Sequence, residues 1–339
     1  MRIAMLAHDH FPDHAKTAIG VMRYGSDDVV AILDRETAGD RVHDHISFVP
    51  DAPIVAGMHD VEDVDALYIG ISPIGGGFDE AWRPDVCAAL ERGIDVVSGL
   101  HAFLGEDEEF AALAEANGAT ITDVRKPPTD LGVNEGIADD VDATVLLTVG
   151  TDASVGKMTT TFELVEGLRD RGIDAAPIPT GQTGIMIAGW GIAIDRVVAD
   201  FLAGTTEQLL LERADEHDVL IVEGQGSVIH PAYSGLTCGL LHGSMPDGLI
   251  LCHDVGRDHI RGYERTTIPP LDEVRELYER LAAPVHPAPV SGLAVNTSSI
   301  EADSEARDRL DGMSAELGVP AADVIRFGPG PLVDWIVEN

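Results

Sequence analysis

Basic charge is scarce in this sequence, and lysine most of all. The 339 residues include 59 Asp and Glu against 22 Lys and Arg, a formal net charge of −37, and only Lys16, Lys126 and Lys157 are lysines. So acidic a surface repels nucleic acids and anionic membranes, and we expect neither as a partner. The acidic residues are spread along a chain that is 45% hydrophobic, which favours a folded, halophile-type protein over a disordered acidic one.

Cysteine is also scarce, and long apolar runs are missing. Cys87, Cys238 and Cys252 are odd in number and far apart, so the sequence indicates neither a disulfide framework nor a zinc site. We expect no bound metal. No apolar run approaches the length of a membrane-spanning helix, and we see no signal peptide, so we expect a soluble, cytoplasmic protein.

A glycine-containing loop near the middle of the chain is the most informative motif. It follows an apolar run over 143–149 and precedes a helical pattern that begins near Lys157. The order strand, glycine loop, helix is that of a phosphate-binding loop, in which backbone N–H groups, the helix N-terminus and a lysine attract an anion. The predicted cofactor-binding residues are Gly150, Thr151, Asp152, Ala153, Ser154, Val155, Gly156, Lys157, Met158 and Thr159. The alternative is an ordinary turn between strand and helix.

Two departures distinguish this loop from the common G-x-x-x-x-G-K-[ST] pattern. It is one residue longer, and Met158 stands where a hydroxyl normally binds magnesium. Without that hydroxyl, the loop suits a ligand whose phosphates are bound and not hydrolysed; the alternative is that Thr159 or Thr160 supplies the hydroxyl.

Alternating apolar and helical patterns predict an α/β protein with two domains. We expect a Rossmann-like parallel sheet over residues 1–125, a linker over 126–142, and a P-loop NTPase-like, doubly wound sheet over 143–339. Within the first domain, the glycine-rich turn over 72–77 is either a ligand loop or a flexible turn.

Several polar residues follow the predicted strands of the second domain, where the fold would gather them at one edge. Glu223, His230 and His253 are the candidate catalytic residues, although each could instead have a structural role. Gln182, Gln225 and Arg257 are candidate substrate-binding residues in the same loops. In the first domain, Lys16 and Arg23 could supply positive charge for an acidic substrate, either there or in a cleft between the domains.

Two resemblances to known families follow from these motifs. Residues 150–157 together with Val222-Glu-Gly-Gln-Gly226 resemble dethiobiotin synthetase, a phosphate-loop ligase that carries Thr where this chain has Met158. This resemblance is local.

A second resemblance covers nearly the whole chain. It rests on five motifs: Lys16-Thr-Ala with Arg23-Tyr24, residues 150–160, Thr180-Gly-Gln-Thr-Gly184, Glu223-Gly-Gln-Gly-Ser with His230-Pro-Ala-Tyr, and Leu251-Cys-His253. They are similar to those of a two-domain P-loop family, formerly of unknown function, whose members resemble D-glutamate N-acetyltransferases of the DgcN type.

The second resemblance implies an enzyme that transfers an acetyl group from acetyl-CoA to an acidic D-amino acid. His230 or Glu223 would be the base, and N–H groups of 224–227 or 181–184 would stabilise the oxyanion. A small amino acid would be the partner, and we expect a homo-oligomer. Two alternatives stay open: a ligase or kinase that uses ATP or GTP with Mg²⁺, and a non-catalytic ligand sensor.

Overall fold

The computed structural model describes residues 1–71 and 76–339, and the chain divides into two compact units. The first unit contains Met1–Pro127 and Gln182–Arg196, and the second contains Pro128–Gly181 and Val197–Asn339. Residues 182–196 therefore belong to the first unit, whereas the sequence indicated one continuous second domain over 143–339. Four residues of the glycine-rich turn predicted over 72–77 lie outside the described residues.

The elements of the described residues run in chain order as follows. The strands are β1 (Arg2–Leu6), β2 (Asp28–Leu33), β3 (Ile54–Val55), β4 (Ala66–Ile69), β5 (Asp95–Ser98), β6 (Ile121–Asp123), β7 (Thr144–Gly150), β8 (Ala175–Ile178), β9 (Val219–Val222), β10 (Gly248–Asp254), β11 (His259–Ile260), β12 (Tyr263–Thr267), β13 (Val290–Asn296) and β14 (Ala321–Ala322). The α-helices are α1 (Lys16–Tyr24), α2 (Arg83–Glu91), α3 (Glu108–Asn117), α4 (Lys157–Asp170), α5 (Gln182–Ala188), α6 (Leu202–Ala214), α7 (Ser234–Ser244), α8 (Leu271–Ala282), α9 (Asp303–Leu317) and α10 (Gly330–Glu338).

The first unit is built on a parallel sheet in the order β3-β2-β1-β4-β5-β6. Strand β4 is buried along its whole length and β1 everywhere but Arg2, as expected for parallel strands covered by helices on both faces. Helix α5 joins this unit from the later segment: it packs against α1, and the Thr17 and Thr183 hydroxyls are 2.9 Å apart.

The second unit contains a parallel sheet in the order β14-β13-β10-β7-β9-β8. Strand β7 lies between β10 and β9, so the loops that follow these three strands meet at one edge of the sheet. In doubly wound sheets, ligands bind at such an edge. Helix α4 buries Leu164, Val165 and Leu168 against the sheet, and each fully buried side chain of this size contributes about 1.5–3 kcal/mol.

The fold class predicted from the sequence is confirmed: both units are α/β with parallel sheets. Seven of the elements were not predicted from the sequence, namely the helices α1, α5 and α7 and the short strands β3, β11, β12 and β14. In the described part of the chain, no helix combines the length and the apolar character needed to cross a bilayer.

Candidate functional site

The predicted phosphate loop joins β7 to α4 in the second unit. Two of its residues have left-handed backbone, Ser154 at φ 55° and Gly156 at φ 101°, and this conformation turns successive N–H groups toward one side. Within the described residues, the amides of Ser154, Val155, Gly156, Met158 and Thr159 donate to no protein acceptor. By contrast, Thr151 N donates to Cys252 O at 3.0 Å and Ala153 N to Asp152 Oδ1 at 2.6 Å. Five such amides, at and just before the start of a helix, can together bind an anion.

Lys157 is buried at the first position of α4, with 6% of the residue exposed. Its Nζ donates to Asp152 O at 2.7 Å, which holds the ammonium inside the curve of the loop. The stem of Lys157 lies against Gly224, where an added Cβ would be 3.1 Å from Lys157 Cδ and 1.6 Å from Thr148 O. Only glycine fits at position 224, because any side chain would collide with the backbone of β7.

Asp152 organises the loop from within. Its fully buried carboxylate accepts from Arg257 Nη1 and from Arg261 N, each at 2.8 Å. The Arg257 guanidinium also donates to Ala153 O at 2.7 Å. Arg257, a candidate for substrate binding, therefore holds the phosphate loop together, and its charge is paired with Asp152.

Glu223 directly follows β9 and is 4% exposed. Its Oε2 accepts from Thr180 N at 3.3 Å and from Gly181 N at 3.2 Å, and Gln225 Nε2 donates to Thr180 Oγ1 at 3.2 Å. Gly224 N donates to Thr148 Oγ1 at 2.9 Å. The amides of residues 181 and 224, expected among the oxyanion donors, are thus already bonded. In the part of the chain that the structure describes, those of Gln225, Gly226 and Ser227 have no protein acceptor.

His230 is 2% exposed and stacks on Tyr233. Its Nδ1 accepts from Ala232 N at 3.1 Å, and its Nε2 lies 3.8 Å from Asp152 Oδ1. Burial lowers the pKa of His230, which favours the neutral ring. Since Nδ1 accepts a hydrogen bond, the proton of the neutral ring resides on Nε2, facing Asp152.

His253 lies near the end of β10, with its Nδ1 3.1 Å from Thr151 Oγ1. Burial lowers the pKa of His253 to about 4, so the ring is neutral at pH 7. Through Thr151 this ring contacts the phosphate loop.

Sequence reasoning missed Tyr278 of α8. This side chain is fully buried, and its hydroxyl donates to Gly150 O at 2.8 Å and accepts from Val228 N at 3.3 Å. It ties the start of the phosphate loop to the end of the loop that follows β9. No local pattern could have indicated it, because these partners are 128 and 50 residues away in sequence.

The remaining substrate-binding candidates belong to the first unit. Lys16 begins α1 at the carboxyl edge of the sheet, whereas Arg23 lies in the last turn and contacts the rings of Tyr24 and Phe48. Seven residues of helix separate their Cα atoms by about 10 Å along the axis of α1. Gln182 begins α5, where its side chain lies against Gly99.

A cavity of about 590 Å³ adjoins the phosphate loop. Gly156, Thr159 and Thr160 form one wall, and Asn296, Ser298 and Arg326 contribute to the other. Its volume is in the range of small-molecule sites. Among the described residues, no three His, Cys, Asp or Glu side chains are grouped so that they could hold a metal ion.

Comparison with known proteins matches both units to one family. Residues 35–127 match its Rossmann-like domain of unknown function, DUF1611_N, and residues 132–333 match its P-loop domain of unknown function, DUF1611_C. Two relatives named D-glutamate N-acetyltransferase are each 41% identical to this chain, one from Tritonibacter scottomollicae and one from a Pseudoalteromonas species. The alignment with the first covers 79% of this chain and 80% of the relative, and the alignment with the second covers 80% of each. The crystal structure of a DUF1611 family protein from Anabaena variabilis ATCC 29413 superposes with a TM-score of 0.93 at 36% identity, covering 100% of this chain and 99% of the other. The chain therefore belongs to the two-domain DUF1611 family.

Proposed function

We propose that this protein is an N-acetyltransferase that moves the acetyl group of acetyl-CoA to the amine of an acidic D-amino acid such as D-glutamate. The observation that carries the proposal is the phosphate loop: it keeps the lysine and the unpartnered amides, but buried Met158 replaces the usual hydroxyl. The names of the two relatives at 41% identity support the same reaction.

The residues of the second unit fit the nucleotide end of coenzyme A. The five amides and Lys157 suit a pyrophosphate, which needs anion contacts and no hydrolysis. The cavity beside Gly156 and Thr159 has room for a nucleoside, and the apolar Val155 and Ile325 also line it. Coenzyme A supplies an acetyl thioester, whose carbonyl carbon is open to attack by an amine.

The reaction requires removal of one proton from the acceptor's ammonium before the nitrogen attacks. A C–N bond forms, the C–S bond breaks, and the thiol leaves with a proton. Glu223 is the better base in this arrangement, because in His230 one ring nitrogen accepts from Ala232 N and the other carries the proton. The amides of Gln225, Gly226 and Ser227 are positioned to donate to a developing oxyanion.

The test is acetyl transfer by the purified protein in molar KCl, with thiol release and N-acetyl-D-glutamate both measured. We expect Lys157→Ala to weaken acetyl-CoA binding by about 10- to 100-fold, since hydrogen bonds to charged groups contribute about 1.5–3 kcal/mol. Lys126→Ala is the matched control, because this exposed lysine pairs with Glu106 in the first unit. Failure of the wild type to release thiol with any acidic D-amino acid contradicts the proposal.

A second experiment addresses the cavity. Ser298→Trp would narrow it from the rim, so the KM for acetyl-CoA should rise while the KM for S-acetylpantetheine, which lacks the nucleotide, stays unchanged. An equal effect on both donors means that the nucleotide does not bind there.

One observation favours the ATP- or GTP-dependent alternative. Thr159 borders the cavity one residue after Met158, and its hydroxyl could serve a magnesium ion. Calorimetric titrations of acetyl-CoA and of ATP with Mg²⁺ distinguish the two. If the protein binds ATP with Mg²⁺ but not acetyl-CoA, and Lys157→Ala abolishes ATP hydrolysis, the result supports the ligase or kinase.

A further inference from the structure

The hairpin of β11 and β12 is attached to the phosphate loop. Arg257, just before the hairpin, and the backbone N–H of Arg261 in its turn both donate to the buried Asp152 carboxylate. At the start of β12, the Tyr263 ring lies edge-on to His230, with centroids 5.2 Å apart. Three contacts therefore fix the hairpin beside the loop.

Two arginines of this hairpin are exposed, Arg261 and Arg265. Their guanidinium groups make no hydrogen bond or ion pair with any residue that the structure describes. In a chain with 59 acidic and 22 basic residues, acidic partners are abundant. Several arginines elsewhere pair with such carboxylates; Arg83, for example, contacts Glu80, Asp107 and Glu109. Among the described residues, these two guanidinium groups are thus paired with no carboxylate.

The contacts of Tyr263 in β12 indicate which part of the candidate site the hairpin arginines are near. Alternate residues of a strand share a face, so Arg265 is on the same face of β12 as Tyr263, which contacts His230. His230 in turn stacks on Tyr233, and Tyr233 packs against Gly226. The face of β12 that carries Arg265 is therefore linked through these rings to the segment 225–227, and Arg261 is held nearby by its backbone N–H on Asp152. The cavity, by contrast, is lined by β13, α4, residues within 298–301 and the segment 323–326.

We infer that Arg261 and Arg265 recognise the carboxylates of the acidic acceptor and set the preference for a dicarboxylic amino acid. This inference rests on the proposed acetyl transfer. Each guanidinium can form two parallel hydrogen bonds with one carboxylate, which matches an acceptor that has two carboxylates and an amine. Arg257 cannot take this role, because its guanidinium already donates to the Asp152 carboxylate and to the Ala153 carbonyl.

Direct binding tests the inference independently of catalysis. Glutarate, a dicarboxylate without an amine, is titrated calorimetrically into wild type, Arg261→Gln, Arg265→Gln and the double variant, in the presence and absence of coenzyme A. We expect each single change to weaken glutarate binding by about 10-fold or more. Arg280→Gln is the control, since this arginine pairs with Glu276 on the outer face of α8 and should bind glutarate as wild type does.

Kinetics provides the second readout. In the double variant, the ratio of kcat/KM for D-glutamate over D-glutamine should fall toward one, with an unchanged KM for acetyl-CoA. Glutarate binding that is absent from wild type, or equal in all variants, overturns the inference, as does a rise in the KM for acetyl-CoA alone. If wild type transfers no acetyl group yet its glutarate binding depends on both arginines, the proposed function fails and the recognition site stands.

Discussion

The buried His253 should make the stability of the second unit depend on pH in a calculable way. In the folded protein, burial holds the pKa of this imidazole at about 4, against an ordinary value of 6.5. Between these values the unfolded chain binds a proton that the folded chain does not, so the free energy of unfolding falls as pH decreases from 6.5 to 4. One pH unit corresponds to about 1.4 kcal/mol, so the full loss attributable to His253 is about 3 kcal/mol.

The test compares wild type with His253→Asn, which keeps a polar atom near the Thr151 hydroxyl but cannot titrate. Free energies of unfolding are measured in urea at constant ionic strength from pH 7.5 to pH 4. Contributions from His230 and the many carboxylates are common to both proteins and cancel in the difference. That difference should be flat above about pH 7 and change by about 3 kcal/mol by pH 4. A difference that stays constant across the range would show that His253 is not buried as a neutral ring.

Three further outcomes are expected. Tyr278→Phe should lower the free energy of unfolding by about 2 kcal/mol in urea denaturation, because it leaves buried groups of Gly150 and Val228 without their hydroxyl partner; an unchanged midpoint would contradict this. Gly224→Ala should abolish folding of the second unit, as judged by circular dichroism, since its Cβ would lie 1.6 Å from Thr148 O, whereas Gly235→Ala, with nothing within 4 Å, should fold normally. Raising KCl from about 0.1 to 1 M should raise the free energy of unfolding, because the screening length shortens from about 10 to 3 Å around a net charge of −37; stability that does not respond to salt would argue against a halophile-type surface.

The elements that sequence alone could predict are those whose local pattern agrees with their surroundings. Strand β7 is a continuous apolar run, and α4 follows a glycine loop with helical periodicity, so both ends of β7 and the start of α4 were predicted to within one residue. Helix α7 was not foreseen, because Ser234–Ser244 contains three glycines and two serines, which are weak helix formers. The glycines of α7 are explained by its packing against another helix. At Gly239 an added Cβ would lie 2.0 Å from Leu202 Cδ2, so glycine lets α6 and α7 approach closely.

The candidate site also has a part that local sequence predicts and a part that depends on tertiary contacts. Residues 150–159 could be found from spacing, because a phosphate loop is contiguous in sequence. The partners that hold it could not, since Arg257 and Tyr278 reach Asp152 and Gly150 from more than 100 residues away. Spacing also could not reveal that Arg257 is already paired while Arg261 and Arg265 pair with no side chain in the described ranges 1–71 and 76–339, because that depends on which carboxylates the fold brings near.

The return of residues 182–196 to the first unit has a consequence for how the protein is made. The first 127 residues leave the ribosome without the helix that packs on α1 and without Asp195, the ion-pair partner of buried Arg125. We therefore expect the first unit to finish folding only after β7, α4 and β8 of the second unit have been synthesised. A truncated chain ending at Pro127 should accordingly be unstable by itself and gain structure when a peptide spanning 182–196 is supplied separately.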